Sequence, residues 1–164
     1  MFKKAFDAFL KHKKKLKVIS IASCDEKGRP NSAPKMLVDV VEPNVVYFLD
    51  YKFTQTYSNM QVNPRLSISF MDDDAFTGYR LTGSSELLES GKEYEAAGKS
   101  WGKRLISYEA DRIIKRVTGC YSTKEAENTL PKNFVMVKLT AAEASIVKSD
   151  RVLRAQHVRS EAKE

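Results

Sequence analysis

The stretch Tyr51 to Pro64 (Y-K-F-T-Q-T-Y-S-N-M-Q-V-N-P) separates two short apolar runs and limits how the chain can fold around it. Val45 to Leu49 (V-V-Y-F-L) reads as a buried strand, and Leu66 to Phe70 as a further β-like run. Between them Thr54, Gln55 and Thr56 stand where a helix begins, and Asn63-Pro64 ends it. A strand that opens into the start of a short helix leaves backbone N–H groups unpaired, with the positive end of the helix dipole behind them. Such a start suits an anion, above all a phosphate. It equally suits simple capping, with Thr54 as the N-cap of a surface helix. Local chemistry alone leaves both readings open.

The rest of the chain supplies a mostly β frame. Val18 to Ser23 alternates like a strand, and Asp25-Glu26-Lys27-Gly28 is a turn in which glycine admits positive φ. Asn31 to Val41 is extended, and Pro34 within it requires an edge, a bulge or a strand start. Glu42-Pro43-Asn44 turns into the strand over Val45 to Tyr51, and a helix over Thr56 to Val62 crosses to Leu66–Phe70. Gly78 to about Glu89 forms another strand. A mostly helical region follows Gly91, with Tyr94, Ala97, Trp101, Leu105 and Tyr108 on one face. Ala110, Ile113, Ile114 and Val117 make a second stripe, and Gly119 is its stop. Phe134 to Leu139 is the last clear strand, with Ser145 to Lys148 a further candidate. Residues 1–150 are therefore read as one domain and 151–164 as a polar tail, helical or frayed. Strands in mostly hairpin order, interrupted by helices, predict a mainly β fold: an antiparallel, barrel-like sheet with flanking helices.

Charge asks for a separate account, because the formal net charge is +7. Residues 1–17 hold seven lysines against one aspartate. Phe2, Phe6, Phe9 and Leu10 recur there at helical spacing, so the segment reads as an amphipathic helix with its lysines in water. A basic protein touching nucleic acid or lipid through Lys3 to Lys17 is the alternative, although no nucleic-acid module is recognisable. The N-terminus lacks the apolar core of a secretory signal, and no apolar run is long enough to span a bilayer. Cys24 and Cys120 form no metal or disulfide motif, which suits structural thiols in a reducing, cytoplasmic setting.

No nucleophile elbow, Walker loop, dinucleotide fingerprint or zinc-protease motif occurs. His12 and His157 are expected at the surface, and Asp72-Asp73-Asp74 in a solvated loop rather than around a cation. No catalytic constellation and no metal site are predicted. Such a chain either binds without chemistry or takes its chemistry from a cofactor.

The ordered motifs favour the cofactor. Asp25, Gly28 and Pro30, then Pro34-Lys35, Phe48-Leu49-Asp50, Gln55-Thr56, Asn59-Met60, Asn63-Pro64, Gly78-Tyr79 and Gly83 occur in sequence. This series, over about residues 18–90, resembles the flavin-binding split-barrel proteins related to pyridoxamine 5′-phosphate oxidase. The resemblance implies an antiparallel split β-barrel with an FMN site at a homodimer interface. Lys35 would lie beside the cofactor and offset phosphate charge or donate to the ring, and Phe48, Leu49 and Asp50 would line the flavin. Thr56 and neighbouring N–H groups would hold the phosphate. Gln55 stands where the family often carries a lysine or arginine, a loss of charge for which Lys52 could compensate. Trp101, Tyr94 or Tyr108 would either cover the flavin or pack within their helix. The basic C-terminal substrate motif of the true oxidases has no counterpart, so their substrate is not predicted. The implied activity is electron or hydride transfer between a nicotinamide nucleotide or similar donor and a small acceptor. A cofactor-binding or sensor protein of the same fold, holding FMN, a similar flavin or haem, is the alternative.

Overall fold

In the computed structural model, which describes residues 1–118 and 134–156, three helices and seven strands build one sheet and its coverings. The order is α1 (Phe2–His12), β1 (Val18–Cys24), β2 (Pro30–Val41), β3 (Val45–Asp50), α2 (Gln55–Val62), β4 (Arg65–Asp72), β5 (Thr77–Leu88), α3 (Lys92–Val117), β6 (Val135–Val147) and β7 (Val152–Gln156). The sheet runs β3-β2-β1-β4-β5-β6-β7, every pairing antiparallel, and β3 also pairs with β6. That last ladder closes six strands into a barrel and leaves β7 on the free half of β6.

Turn chemistry sets the hairpins. Gly28 takes φ +75°, and the Asp25 carboxylate accepts from the N–H groups of Lys27 and Arg29, which fixes the β1–β2 turn. β3 joins β2 only from Met36 onward, so Pro34 occupies a local edge where its missing N–H costs no ladder bond. The β2–β3 ladder carries a bulge between Leu37 and Asp39. Val38 is the extra residue and turns outward, while Leu37 and Val40 point into the barrel. At Gly83 the β5–β6 ladder shifts, and a Cβ there would lie 2.0 Å from the Thr140 carbonyl oxygen. Glycine is required at that position by close backbone approach, not by an unusual φ.

Two apolar clusters hold the frame. The first fills the barrel with Ile19, Ile21, Leu37, Phe48, Leu66, Ile68, Leu81 and Leu139. Phe2, Ala5, Phe6, Ala8 and Phe9 of α1 plug one barrel end, while Lys3, Lys4 and Lys11 face water as an amphipathic helix requires. Met60 of α2 joins the same cluster at the other end. The second cluster lies outside the barrel wall, where Ala97, Trp101 and Tyr108 of α3 cover Val38, Tyr47, Leu49 and Met136. Trp101 and Tyr108, with the partly buried Tyr94, are thus packing residues of α3. Polar contacts fasten the helices. Tyr47 Oη donates to Glu93 Oε1 at 2.7 Å, and Lys138 Nζ lies 2.7 Å from the same oxygen. Burial and then the Glu93 hydrogen bond push the Tyr47 phenol upward. Asp39 joins three elements: it accepts from Lys13 Nζ at 2.9 Å, from Ser100 Oγ at 2.8 Å and from the Val40 N–H.

Several expectations need revision. The segment after Asp150 is not a tail throughout, since Val152–Gln156 pairs with β6; its alternation of exposed and half-buried residues was too short and polar to read as a strand. β6 runs unbroken from Val135 to Val147 where two separate pieces were expected. α3 continues through Gly98 and Gly102, but its second stripe is exposed at Ile113, Ile114 and Val117. His12 is half-buried, not at the surface, with Nε2 3.3 Å from Asp72 Oδ2 and its ring tilted against Phe70. Asp72 ends β4, and no cluster of metal-ligating groups occurs among the described residues. Gly119, Cys120 and His157 lie outside the described residues.

Gly83→Ala should lower stability by roughly 1–3 kcal/mol through overpacking against the β6 backbone. An unchanged urea midpoint would contradict the close approach. Burial pushes the Asp39 carboxyl up, but hydrogen bonds from Lys13, Ser100 and Val40 outweigh it, so the group lies below the usual carboxylate range. Its stabilisation is therefore complete above the unfolded value of about 3.9 and is lost as pH falls through the lower native value. Asp39→Ala should cost about 1–2 kcal/mol at neutral pH and flatten the acid limb of the stability profile. Parallel acid limbs for the two proteins would refute that assignment.

Candidate functional site

The end of the barrel beneath α2 gathers polar side chains that alternation sends inward. Val46, Phe48 and Asp50 share the interior face of β3, and Asp50 is the last residue of that strand. The β2 register that pairs Met36 with Leu49 brings Lys35 opposite Asp50. Lys35 Nζ donates to Asp50 Oδ1 in a buried ion pair, with the residues 7% and 0% exposed. The same oxygen accepts from the Tyr51 N–H at 2.7 Å and from Thr54 Oγ1 at 2.8 Å. Asp50 Oδ2 is also buried and has no hydrogen-bond partner.

Thr54 relays this contact into the helix. It is the extended N-cap of α2 (φ −86°, ψ 153°), and its hydroxyl accepts from the Tyr57 N–H at 3.1 Å. The Ser58 N–H reaches the Thr54 carbonyl. As the first helical residues, Gln55 and Thr56 have no carbonyl a turn earlier for their own N–H groups. The Asp50 carboxylate thus sits at the positive end of the α2 dipole, where a negative charge is favoured.

A second polar network docks α2 on the barrel. Asn31 Nδ2 donates to Ser23 Oγ at 3.3 Å and to Thr56 Oγ1 at 3.1 Å. Asn59 Nδ2 donates to Ser23 Oγ at 3.0 Å, and Gln55 Nε2 donates to Asn59 Oδ1 at 2.8 Å. These bonds seat a polar helix of low apolar content on the barrel. They also account for Asn63, whose Nδ2 contacts Cys24 Sγ at 3.0 Å.

The predicted site residues separate into three groups. Lys35, Asp50 and Thr56 gather around the α2 start, with Thr56 only 1% exposed and its hydroxyl already engaged by Asn31. Gln55 and Lys52 lie exposed just outside it, Lys52 Nζ 4.0 Å from Glu89. Phe48 and Leu49 stand apart. The Phe48 ring is in the barrel core and Leu49 is under α3, so neither side chain can line a surface site. Lys35, expected to offset phosphate charge or donate to the ring, has its own charge matched by Asp50. Residue types alone did not disclose that pair, nor the Ser23, Asn31 and Asn59 network. The signal for the pair was the register of the β2–β3 hairpin.

The chain matches the family model described as pyridoxamine 5′-phosphate oxidase over residues 2–148. No curated protein shows a significant match. Among solved structures, it is similar to a Clostridium acetobutylicum protein related to general stress protein 26 of B. subtilis, with a TM-score of 0.60 and 15% identity over 94% of this chain and 95% of that one. It is similar to a pyridoxamine 5′-phosphate oxidase-related, FMN binding protein from Nostoc punctiforme, with a TM-score of 0.57 and 14% identity over 93% and 88%. It is also similar to a heme binding protein from Mycobacterium smegmatis, with a TM-score of 0.63 and 15% identity over 93% of this chain and 57% of that one. At these identities the structures attest the fold alone, while the family model spans most of the sequence. The chain belongs to the pyridoxamine 5′-phosphate oxidase-like family of split-barrel proteins.

Proposed function

We propose that the protein is an FMN-binding flavoprotein of this family that takes the cofactor phosphate at the start of α2. The observation that carries the reading is the donor set left at that start. Gln55 and Thr56 have N–H groups with no helical acceptor, Thr56 being buried, and the exposed Gln55 amide, which also donates to Asn59, and Lys52 ammonium, 4.0 Å from Glu89, belong to the same segment. These groups fit a phosphate held mainly by neutral donors, because the buried Lys35–Asp50 pair beneath them adds no net charge. Thr54 keeps the helix start in place through its bonds to Asp50 and Tyr57, and the Asn31–Thr56 bond fixes α2 against β2.

Bound there, FMN would supply electron or hydride transfer. The chain's own contribution is to orient the phosphate end and to leave the ring outside the barrel wall, since Phe48 and Leu49 are occupied in packing. A second copy would complete the ring's surroundings, which makes the active form a homodimer. The donor is a nicotinamide nucleotide or a similar small reductant, and the acceptor is a small molecule. The protein would work in the cytoplasm; no helix among the described residues is long and apolar enough to cross a membrane. Haem in place of flavin is the second reading, supported by the haem-binding relative of like fold.

Absorbance of the purified protein, followed by titration with FMN, tests this reading. A flavin spectrum is expected, with affinity that falls as salt rises because Lys52 is solvent-exposed. Gln55→Arg restores a charged donor and should tighten FMN binding roughly tenfold, whereas Lys52→Ala should weaken it several-fold. A haem spectrum would favour the second reading. FMN affinity indifferent to both substitutions would reject the site.

A further inference from the structure

The second apolar stripe of α3 has no role in the barrel or at the α2 start. Ile106, Ala110, Ile113 and Val117 recur at gaps of four, three and four residues, the spacing of a heptad seam, with Ile114 beside them. At about 100° per residue this seam lies roughly opposite Ala97, Trp101 and Tyr108, which face the barrel wall. Ile106 is 69% exposed, Ile113 63%, Ile114 61% and Val117 82%, and Ala110 is exposed as well. A single isoleucine in water is ordinary, but a row of large apolar side chains on one helix face marks an interaction surface.

The seam is complementary to itself. Aligned antiparallel about a point between Asp111 and Arg112, two copies place Ile113 of each over Ala110 of the other, and Ile106 over Val117. Each larger residue thus meets a smaller one, which lets the helices approach closely. Toward the N-terminus the same face continues as Lys103 and Lys99, both exposed. In a parallel pair each lysine would meet its own counterpart. In the antiparallel pair the two Lys103 residues stand about 25 Å apart along the axis, beyond the screening length of roughly 8–10 Å. Charge therefore selects the antiparallel arrangement.

We propose that α3 carries a docking surface for a second copy of this chain, in which the Ile106–Val117 seam pairs with itself in an antiparallel, two-fold contact. Such a contact is closed: it joins two units and stops. Its few side chains bury far less than the roughly 800 Å² per partner of a standard interface, so the pairing is weak and reversible, on the order of 0.1 mM. A membrane surface fits less well. The exposed Glu95 and Glu109 border the stripe, and a bilayer makes no use of a small residue at its centre. No residue of α2 takes part, so the assignment stands independently of the flavin reading.

Sedimentation equilibrium of the full chain, from micromolar to millimolar concentration, tests the pairing. A reversible doubling of mass is expected relative to the Ile113→Asp variant, where a carboxylate in the seam should weaken the step roughly hundredfold. A dimer built on another surface persists in that variant and sets its baseline mass. Ile106→Asp gives a second reading of the same loss. Added salt should strengthen the doubling, because two chains of net charge +7 repel each other. Ala110→Leu is the deciding variant: it enlarges the apolar surface yet overfills the place beneath Ile113, so pairing should weaken roughly tenfold. These positions are exposed, and the variants should keep the parent's urea midpoint. Equal masses for the parent and both aspartate variants throughout the range would overturn the proposal. Stronger association in Ala110→Leu would do the same, since an unspecific apolar patch behaves that way. Capture of the parent, but not of Ile113→Asp, by phosphatidylglycerol vesicles with no doubling in solution would also overturn it and give the surface to a membrane.

Discussion

The ladder between β3 and β6 is the contact on which the molecule rests. Without it the sheet would be an open ribbon with an exposed edge along β3 and no enclosed interior. With it, six strands surround a core whose two ends must be sealed, and helices provide the seals. α1 uses aromatic rings and α2 a polar network, so the two ends differ in chemistry. Burial of Phe6 and Phe9 stabilises the first by about 2–3 kcal/mol per ring before entropy is counted. The second is held by hydrogen bonds of about 1 kcal/mol each, a weaker and more directional seal.

The Lys35–Asp50 pair sits where these demands conflict. Removing two charges from water costs several kcal/mol per ion, and mutual attraction repays this only with good geometry and further hydrogen bonds. Asp50 Oδ1 has three donors, whereas Oδ2 has none. The pair is a poor source of stability. Its electrostatic effect is to hold the helix start near neutrality.

Much of the architecture was legible in the chain. Alternation in β1, the Asp25–Gly28 turn, the proline at a local edge and the aromatic stripe of α1 all have local causes, and each appears as predicted. Gly83 was noticed as part of a motif, while its cause, a carbonyl from β6, belongs to tertiary structure. β7 was missed because its partner is the second half of β6 and its own residues are mixed in polarity. Of the residues singled out at the site, Lys35, Asp50 and Thr56 lie close together around the α2 start, although the Lys35–Asp50 ion pair itself was not legible from residue types. Phe48 and Leu49 pack in the two apolar clusters because both faces of β3 are covered, which alternation along a single strand does not reveal.

The bulge at Val38 has a bearing on how the chain finds a single register. Were Val38 drawn into the ladder, Met36 would face Asp50 and Lys35 would move opposite Tyr51. The carboxylate would then stay inside the barrel without its cation, a far costlier state than the native pair. A contact that contributes little to stability therefore discriminates strongly between two alignments of the same hairpin. The ion pair acts as a proofreading device for β2, rejecting the slipped strand through the penalty that slippage would incur.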